Sequence, residues 1–377
     1  MDGPLTPGFA DLSGAMVQLQ ARIGRLLVGL GVDAQLVGDQ PLKAGCVHRQ
    51  LWRARDKSRT FVIKRFSAER SCVERLSVER WLPLLGLADV APSLLAVVAG
   101  ADGRFVWHVY EDLGDGTLDA GDPPGGPTVR DRGHLSAMRA DPEPERLRGA
   151  VAGLARLHQA SIDHSMLGEC RYWGGDLGGH FLSASVRDAI RALEALELQR
   201  VPLSEAHRAT RDALLAAMWR LKDEERDRRA QLAAFGGPEC LLHGDFGVRN
   251  VLLLPTDAGW AGRLIDWDHA GVGPASYDLS TFLAQLAPAT RAGALELYRS
   301  YRDGADADWP DDETWDGLFD TAERSRLANS VIWPALSAID GEGASAFDDL
   351  SAIADWFEAL RPVLRDPAAP ASGGRST

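Results

Sequence analysis

Two carboxylates and one carboxamide lie close together along one stretch of this sequence. Asp245 and Asn250 share a short loop, and Asp266 comes directly after the apolar pair Leu264–Ile265. A hydroxyl group that attacks phosphorus needs a base, and a metal-bound triphosphate needs hard oxygen ligands. This spacing supplies Asp245 for the first task, and Asn250 with Asp266 for the second. We therefore predict phosphoryl transfer with Asp245 as the catalytic base.

The sequence resembles the aminoglycoside phosphotransferase and choline kinase group of small-molecule kinases. The resemblance is carried by His243-Gly-Asp245, Asn250 and Ile265-Asp-Trp267, and by the lysine that ends Phe61-Val-Ile-Lys64. It implies an α+β, bilobal protein-kinase-like fold, with a small β-rich N-terminal lobe and a larger, mainly helical C-terminal lobe. It also implies ATP or GTP as the phosphate donor, Mg²⁺ held by Asn250 and Asp266, and a small-molecule hydroxyl group as the acceptor.

The N-terminal lobe contributes nucleotide contacts by the same resemblance. In the family, a strand lysine holds the α- and β-phosphates and pairs with a glutamate on the following helix. These residues correspond here to Lys64 and, as the preferred candidate, Glu79, with Glu74 as the alternative. A lysine in an otherwise buried strand needs a charged partner, which agrees with this assignment. Gly45 is the single glycine where the family covers the phosphates, and no Gly-x-Gly-x-x-Gly loop is present.

The predicted connection between the lobes lies after the strand Val106–Tyr110. Glu111 and Leu113, which follow it, resemble the family's hinge, whose backbone would hydrogen-bond the purine. Because only backbone groups make this contact, the side chains do not distinguish ATP from GTP.

Four residues near the catalytic segment have secondary interpretations. His243 resembles the family histidine that braces the loop by packing and hydrogen bonding. Arg249 is either a phosphate contact or an exposed loop arginine. Asp268 would point to the same side as Asp266 on an extended backbone, and could act as an auxiliary metal ligand. Asp278 resembles the family aspartate that opens a helix beneath the loop, where it would cap the helix and accept backbone N–H bonds.

The elements that must position these residues divide the sequence into four parts. They are an N-terminal helical extension (1–35), a β-rich nucleotide-binding lobe (36–112), a catalytic and substrate-binding lobe (113–365) and a disordered tail (366–377). Alternation and β-branched residues predict strands in the first lobe. Helical spacing predominates after the Gly- and Pro-rich stretch 114–146, beginning with an apolar stripe from Leu147 to Leu157.

Composition excludes several classes of protein. The 377 residues include 45% hydrophobic and 25% charged residues, as is typical of globular proteins. A net charge of −13 argues against a nucleic-acid binder, because phosphate repulsion would oppose binding. No apolar run is long enough to cross a bilayer, and the 4 cysteines form no C-x-x-C pair. We expect a cytoplasmic protein with free thiols and no membrane or nucleic-acid partner, and the oligomeric state stays open.

The acceptor is the least determined part of the prediction. The segment 303–323 is densely acidic and contains Trp309 and Trp315. Carboxylates with aromatic rings suit a cationic antibiotic or an amino alcohol, although an exposed acidic loop explains the same composition. The segment Cys170–Asp176 is aromatic and glycine-rich, and would be either a pocket wall or a packed turn. The sequence is equally compatible with a resistance enzyme, a biosynthetic kinase and a housekeeping kinase.

Two other functions compete with a small-molecule kinase. A non-catalytic nucleotide-binding protein could keep the same fold, but the joint presence of Lys64, Asp245, Asn250 and Asp266 argues against it. A metal-dependent hydrolase could use Asp245 and Asp266 with His243 and His269, but that explains neither the lysine nor the asparagine.

Overall fold

The computed structural model describes residues 35–37, 51–56, 59–99, 105–114, 116–118, 141–199, 201–302, 309–341 and 343–365. The predicted N-terminal helix, Gly45 and the predicted tail lie outside these residues. The chain divides into two compact units. The first comprises Met1–Ser71, Pro92–Gly114 and Pro123–Gly126, and the second comprises Cys72–Ala91, Asp115–Asp122 and Pro127–Thr377. Residues 72–91, which we predicted in the N-terminal lobe, thus group with the second unit.

The described residues of the first unit form a five-stranded antiparallel sheet. Its strands are β1 (Gln35–Val37), β2 (Leu51–Asp56), β3 (Arg59–Ser67), β4 (Leu94–Ala99) and β5 (Phe105–Glu111), in the order β1-β2-β3-β5-β4. Phe61 and Ile63 are buried and alternate with half-buried Val62 and Lys64. This period of two is that of a strand with one face against a core, as the sequence pattern predicts.

A helix follows β3 and contains a π-helical turn. Helix α1 (Ala68–Leu76) continues through a π-helical turn at Ser77–Trp81 and a further turn at Leu82–Leu84. Trp81 and Leu82 are fully buried in the core of the second unit. The indole nitrogen of Trp81 donates to the Glu169 carboxylate at 3.2 Å, which satisfies its polar group within the core.

The second unit is mainly helical. Its further helices are α2 (Pro144–Ser161), α3 (Leu167–Gly174), α4 (Gly179–Leu198), α5 (Glu205–Phe235), α6 (Ser276–Gln285), α7 (Pro288–Arg302), α8 (Asp312–Ile339) and α9 (Gly343–Ala359). The stripe predicted from Leu147 to Leu157 is buried on α2. Ser204 caps α5, since its side chain accepts a hydrogen bond from the backbone N–H of His207 at 3.1 Å.

Two short antiparallel strand pairs flank the catalytic segment. Strand β6 (Glu239–Leu242) pairs with β9 (Gly271–Pro274), and β7 (Val251–Thr256) pairs with β8 (Gly259–Leu264). The predicted catalytic loop, residues 243–250, therefore runs from the end of β6 to the start of β7, and Asp266 lies between β8 and β9. Strand β9 was not predicted, because its glycine-rich sequence carries no alternation.

The buried side chains of the second unit form two hydrophobic clusters. One surrounds strands β6 to β9 and includes the fully buried Leu154, Phe246, Trp267 and Phe282. The other lies among helices α4, α5, α8 and α9. The catalytic segment thus rests on the first cluster, which packs large aromatic side chains directly beneath it.

Two expectations from composition concern membrane-spanning segments and cysteine thiols. Across the parts of the chain that the structure describes, no helix combines the length and the apolar character needed to cross a membrane. Cys72, Cys170 and Cys240 are free thiols, as expected.

Candidate active site

The catalytic segment begins where β6 ends in the core. Leu241 and Leu242 are fully buried, and the chain then turns through Gly244 with a φ of 81°. A Cβ atom at Gly244 would lie 1.8 Å from the backbone carbonyl oxygen of His269. Only glycine fits a backbone crossing this close. The crossing fixes where the next residue, Asp245, leaves the core.

Asp245 and Asn250 are brought together by a turn within the loop. The side-chain nitrogen Nδ2 of Asn250 donates to the backbone oxygen of Asp245 at 2.8 Å and to its carboxylate Oδ2 at 3.1 Å. A carbonyl and a carboxylate only accept, so the contacting atom is the amide nitrogen, and Oδ1 is the atom of Asn250 suited to a cation. The pairing orients the half-buried Asp245 carboxylate.

Two apolar residues anchor this loop on α6. Phe246 and Val248 are fully buried. The Phe246 ring packs against Phe282 with centroids 5.0 Å apart, and the backbone N–H of Val248 donates to Oε1 of Gln285 at 2.9 Å. The buried Phe246 and Val248 therefore fix the loop on α6, while the Asp245 side chain between the core and the surface stays partly accessible.

Asp278 supports the loop from α6. Its Oδ2 accepts the backbone N–H of His243 at 2.8 Å, its Oδ1 accepts that of Gly244 at 2.9 Å, and Nε2 of His158 lies 3.2 Å from Oδ2. Burial alone would raise the pKa of Asp278, but the hydrogen bonds from His158 and the His243 backbone hold this pKa below its usual value. We expected Asp278 to cap its helix and to accept backbone N–H bonds; the backbone N–H groups that it accepts are those of His243 and Gly244.

Asp266 has an unusual backbone conformation. Its φ of 75° and ψ of 54° are left-handed, and among the described residues it shares a positive φ only with glycines and Asp163. The conformation costs about 1 kcal/mol for a residue with a Cβ atom, so surrounding contacts must hold it. The fully buried Trp267 supplies one, because its indole nitrogen donates to the carbonyl of Leu264 at 2.9 Å.

His243 ties the catalytic loop to the Asp266 segment. Its side chain is fully buried, and Nε2 lies 3.0 Å from the carbonyl oxygen of Ile265. Because a carbonyl only accepts, Nε2 carries the hydrogen. The His243 ring also lies 4.7 Å from the Trp267 ring, between centroids. These contacts support the bracing interpretation over that of a hydrolase ligand.

Three carboxylates form an acidic cluster around Asp266. One oxygen from each of Glu74, Asp266 and Asp268 lies within 4.8 Å of the others, and Glu74 and Asp268 are buried. Oxygens that bind one Mg²⁺ at about 2.1 Å lie about 3 to 4 Å apart, so modest side-chain rotation would complete such a set. The hard oxygen donors fit Mg²⁺. We did not predict Glu74 here, since it lies far from Asp266 in sequence.

The two glutamates of the α1 region occupy different environments. Glu79 is exposed, and its carboxylate pairs with Nε of Arg75 at 3.0 Å on the same helix. Glu74 is the buried glutamate of this region. Which of the two glutamates pairs with Lys64 stays a prediction, and only Glu74 joins the acidic cluster described above. Arg249, next to Asn250, is half-buried.

The remaining predicted nucleotide contacts belong to the first unit. Lys64 is half-buried on β3, opposite His108 in the register, with Nζ 4.2 Å from the centroid of the Phe66 ring. The carboxylate of Glu111 accepts the backbone N–H of Ser93, the residue before β4, at 2.7 Å, and Leu113 follows in the chain. Their contacts to a nucleotide stay predictions.

The described part of the acidic segment, residues 309–323, is built into helix packing. Asp311 caps α8 by accepting a backbone N–H of its first turn at 2.8 Å. The buried Asp316 accepts two backbone N–H groups, of residues 363 and 364, at 2.8 Å each. Trp315 is buried as well. These contacts favour the structural interpretation over an acceptor site, and residues 303–308 lie outside the described chain.

The aromatic segment ends a helix next to β9. Tyr172 and Trp173 close α3 with rings 5.2 Å apart edge to face, and they are 80% and 49% exposed. A Cβ atom at Gly174 would lie 2.0 Å from the carbonyl oxygen of Ala270, so the helix end is pressed against the backbone that follows Asp266. The segment is therefore a fixed helix end that presents two aromatic rings to solvent.

The chain is similar to known phosphotransferases and kinases in sequence and in fold. A model of the phosphotransferase enzyme family matches residues 39–315. Three similar solved structures are a spectinomycin phosphotransferase in complex with ADP and spectinomycin (13% identity, 90% of this chain and 98% of that chain, TM-score 0.51), an ethanolamine kinase from Plasmodium vivax (14%, 87% and 82%, 0.51) and a macrolide 2'-phosphotransferase from Brachybacterium faecium (17%, 89% and 97%, 0.50).

At these identities the structural likeness shows the fold, and it confirms the predicted α+β, kinase-like class. No curated protein matches the chain. The family match, in contrast, spans most of the sequence and includes the Asp245, Asn250 and Asp266 segment. The chain therefore belongs to the phosphotransferase enzyme family and is a phosphotransferase of kinase-like fold.

Proposed function

We propose that the protein transfers the γ-phosphate of ATP or GTP to a hydroxyl group of a small molecule, in a reaction that requires Mg²⁺. The observation that carries the proposal is the Asn250 amide nitrogen donating to the Asp245 carboxylate in a loop that Asp278 braces. A carboxylate oriented in this way is suited to accept the proton of the attacking hydroxyl group.

The other residues of the site then have distinct tasks. Asn250 and Asp266 would hold Mg²⁺, which supplies charge neutralisation at the phosphates when bound. The acidic cluster with Glu74 and Asp268 supports this assignment. Lys64 would contact the α- and β-phosphates, and Arg249 would contact phosphate as well. The backbone at Glu111 and Leu113 keeps the predicted purine contact, and Gly45 the predicted position over the phosphates. Free thiols support a reducing compartment such as the cytoplasm.

We place the acceptor beside Tyr172 and Trp173. Large exposed aromatic rings on a rigid helix end offer a stacking surface for a flat or cationic group, and Gly174 holds them next to the Asp266 segment. Trp173→Ala should raise KM for the acceptor and leave KM for the nucleotide unchanged. Trp219 is equally exposed, at 49%, on α5, and Trp219→Ala is the matched control. Equal effects of both substitutions would remove the acceptor from this surface.

The test of the proposal is phosphate transfer to a panel of acceptors. Aminoglycosides, spectinomycin, macrolides, ethanolamine, choline and other amino alcohols are incubated with Mg-ATP or Mg-GTP, and each acceptor is examined for the mass of one added phosphate. Asp245→Asn should abolish transfer and keep nucleotide affinity, whereas Asp257→Asn, in the exposed β7–β8 turn, should change neither. Nucleotide binding without transfer to any acceptor would support the non-catalytic alternative. If the protein binds neither ATP nor GTP, the proposal is wrong.

A further inference from the structure

A line of hydrogen-bonded side chains reaches the catalytic loop from α7. Nη1 of Arg302 lies 3.2 Å from the hydroxyl group of Tyr298, and that hydroxyl lies 2.8 Å from Nδ1 of His158. On the other side of the same ring, Nε2 lies 3.2 Å from Oδ2 of Asp278. All four side chains are buried, and His158, Asp278 and Tyr298 are fully so. The line joins α7, α2 and α6 through polar groups inside the first hydrophobic cluster.

The chemistry of each group sets the direction of every bond in this line. Asp278 accepts the backbone N–H groups of His243 and Gly244, and an ionised carboxylate can only accept. Nε2 of His158 therefore carries a hydrogen and donates to Asp278. Burial lowers the pKa of His158, so the ring is neutral near pH 7 and Nδ1 is an acceptor. The Tyr298 hydroxyl must then donate to Nδ1.

Arg302 completes the direction. A guanidinium group only donates, so it contributes its hydrogen to the oxygen of the Tyr298 hydroxyl. This leaves the hydroxyl hydrogen directed at Nδ1 of His158. The opposite tautomer of His158 would place two lone pairs against each other at Asp278, and the Tyr298 hydroxyl hydrogen would have to turn away from Nδ1. Asp278 and Tyr298 thus favour the same tautomer, and the Tyr298 hydroxyl holds the His158 ring in the position from which Nε2 gives Asp278 its third donor.

The third donor matters for the catalytic loop because Asp278 has two oxygens and three partners. Oδ2 is shared between His158 and the His243 N–H, and Oδ1 faces the Gly244 N–H. With His158 donating from one side, the carboxylate plane is set so that each oxygen meets one loop amide. Gly244 immediately precedes Asp245, so this orientation is transmitted to the proposed base within one residue.

We propose that Tyr298 is a positioning residue for phosphoryl transfer, which acts through His158 and Asp278 on the loop that carries Asp245. The inference rests on the proposed function for its catalytic part. The bracing of the loop is a property of the folded protein, and it is measurable without any acceptor.

The experiment compares Tyr298→Phe with Tyr301→Phe. The first substitution removes one oxygen atom from the line, and the second removes the same atom from a tyrosine on the same helix that is 41% exposed. We expect Tyr298→Phe to lower kcat on the order of tenfold, with KM for the nucleotide unchanged, because the substitution loosens the base and leaves nucleotide binding alone. Tyr301→Phe should leave both parameters at the wild-type values.

A second readout follows the brace itself. Selective ¹⁵N labelling of histidine and glycine allows NMR to report the tautomer of His158 and the hydrogen exchange of the His243 and Gly244 amides. Tyr298→Phe should shift the Nδ1 resonance of His158 and speed exchange of both amides at least several-fold, whereas Tyr301→Phe should change neither. If Tyr298→Phe does not fold, Arg302→Met removes the donor to the hydroxyl oxygen, and should speed the same exchange to a smaller extent.

The outcomes separate this inference from the proposed function. Amide exchange in Tyr298→Phe equal to that in Tyr301→Phe overturns the inference, whether or not transfer is found. Faster exchange with an unchanged kcat also overturns it, since loosening the loop would then have no effect on the base. Faster exchange in a protein that phosphorylates no acceptor supports the brace and counts against the proposed function alone.

Discussion

Replacing Gly244 by alanine tests whether a single backbone crossing positions the proposed base. The added Cβ would lie 1.8 Å from the carbonyl oxygen of His269 and 2.6 Å from its carbonyl carbon. Ordinary contacts of a Cβ atom begin at 3.4 Å, so the loop and the His269 backbone would have to separate by about 1.6 Å, the difference between these distances. Both partners are backbone, and no flexible side chain can move aside.

A matched control isolates the crossing from the cost of the backbone conformation. Gly237 has a φ of 72°, close to the 81° of Gly244, and a Cβ atom there would meet no described atom within 4 Å. Alanine in a left-handed conformation costs about 1 kcal/mol, which both substitutions share. Forcing the crossing apart adds about 1 to 3 kcal/mol at Gly244 only. We therefore expect losses of about 1 kcal/mol for Gly237→Ala and about 2 to 4 kcal/mol for Gly244→Ala.

Activity should separate the two variants more sharply than stability. A displacement of 1 Å at a reacting group costs about 100-fold in rate, so Gly244→Ala should lower kcat by at least that factor. Gly237→Ala should keep the wild-type kcat. Chemical denaturation gives the free energies of unfolding, and transfer to the acceptor identified by the panel gives kcat. Equal stability losses in both variants, or a wild-type kcat in Gly244→Ala, would show that the crossing does not position Asp245.

Other contacts predict effects on stability. Ser204→Ala removes the cap of α5 and should lower the free energy of unfolding by about 1 kcal/mol in chemical denaturation; no change would mean that the cap is redundant. Acid should destabilise the protein in two stages, followed as the thermal midpoint between pH 8 and pH 3. The pKa of His158 is lowered by burial, so the unfolded chain binds this proton first, and the stabilisation present above pH 6.5 is lost as the pH falls below that value. Asp278, whose pKa is lowered from 3.8, adds a further loss below pH 3.8, and a midpoint that is constant from pH 7 to pH 5 would contradict the first stage.

The residues of the proposed catalytic loop could be predicted from the sequence because the contacts that join them are local. Asp245 and Asn250 are joined by a hydrogen bond within one loop, and the loop closes on its own backbone between Asp245, Gly247 and Asn250. Residue types and spacing are sufficient to predict contacts of this kind. The buried stripe of α2 and the alternation of β3 were predictable for a related reason, since a regular element repeats its pattern within a few residues.

The acidic segment shows where composition was insufficient. Carboxylates and tryptophans suggested either a cation site or a solvated loop. The structure assigns Asp311 to a helix cap and Asp316 to backbone amides almost fifty residues away in sequence. Composition counts charges, whereas the function of a carboxylate depends on which donors the fold brings to it.

The sequence by itself therefore determined the family and the reaction class, and it predicted the residues proposed for the short catalytic segment. Only the tertiary structure decided that Glu74 joins Asp266 and Asp268, and that Asp278 supports the loop with His158 and Tyr298 behind it. These residues come from elements widely separated along the chain. Their meeting depends on how helices pack around one core, and side-chain packing over such separations leaves no periodicity in the sequence from which it could be read.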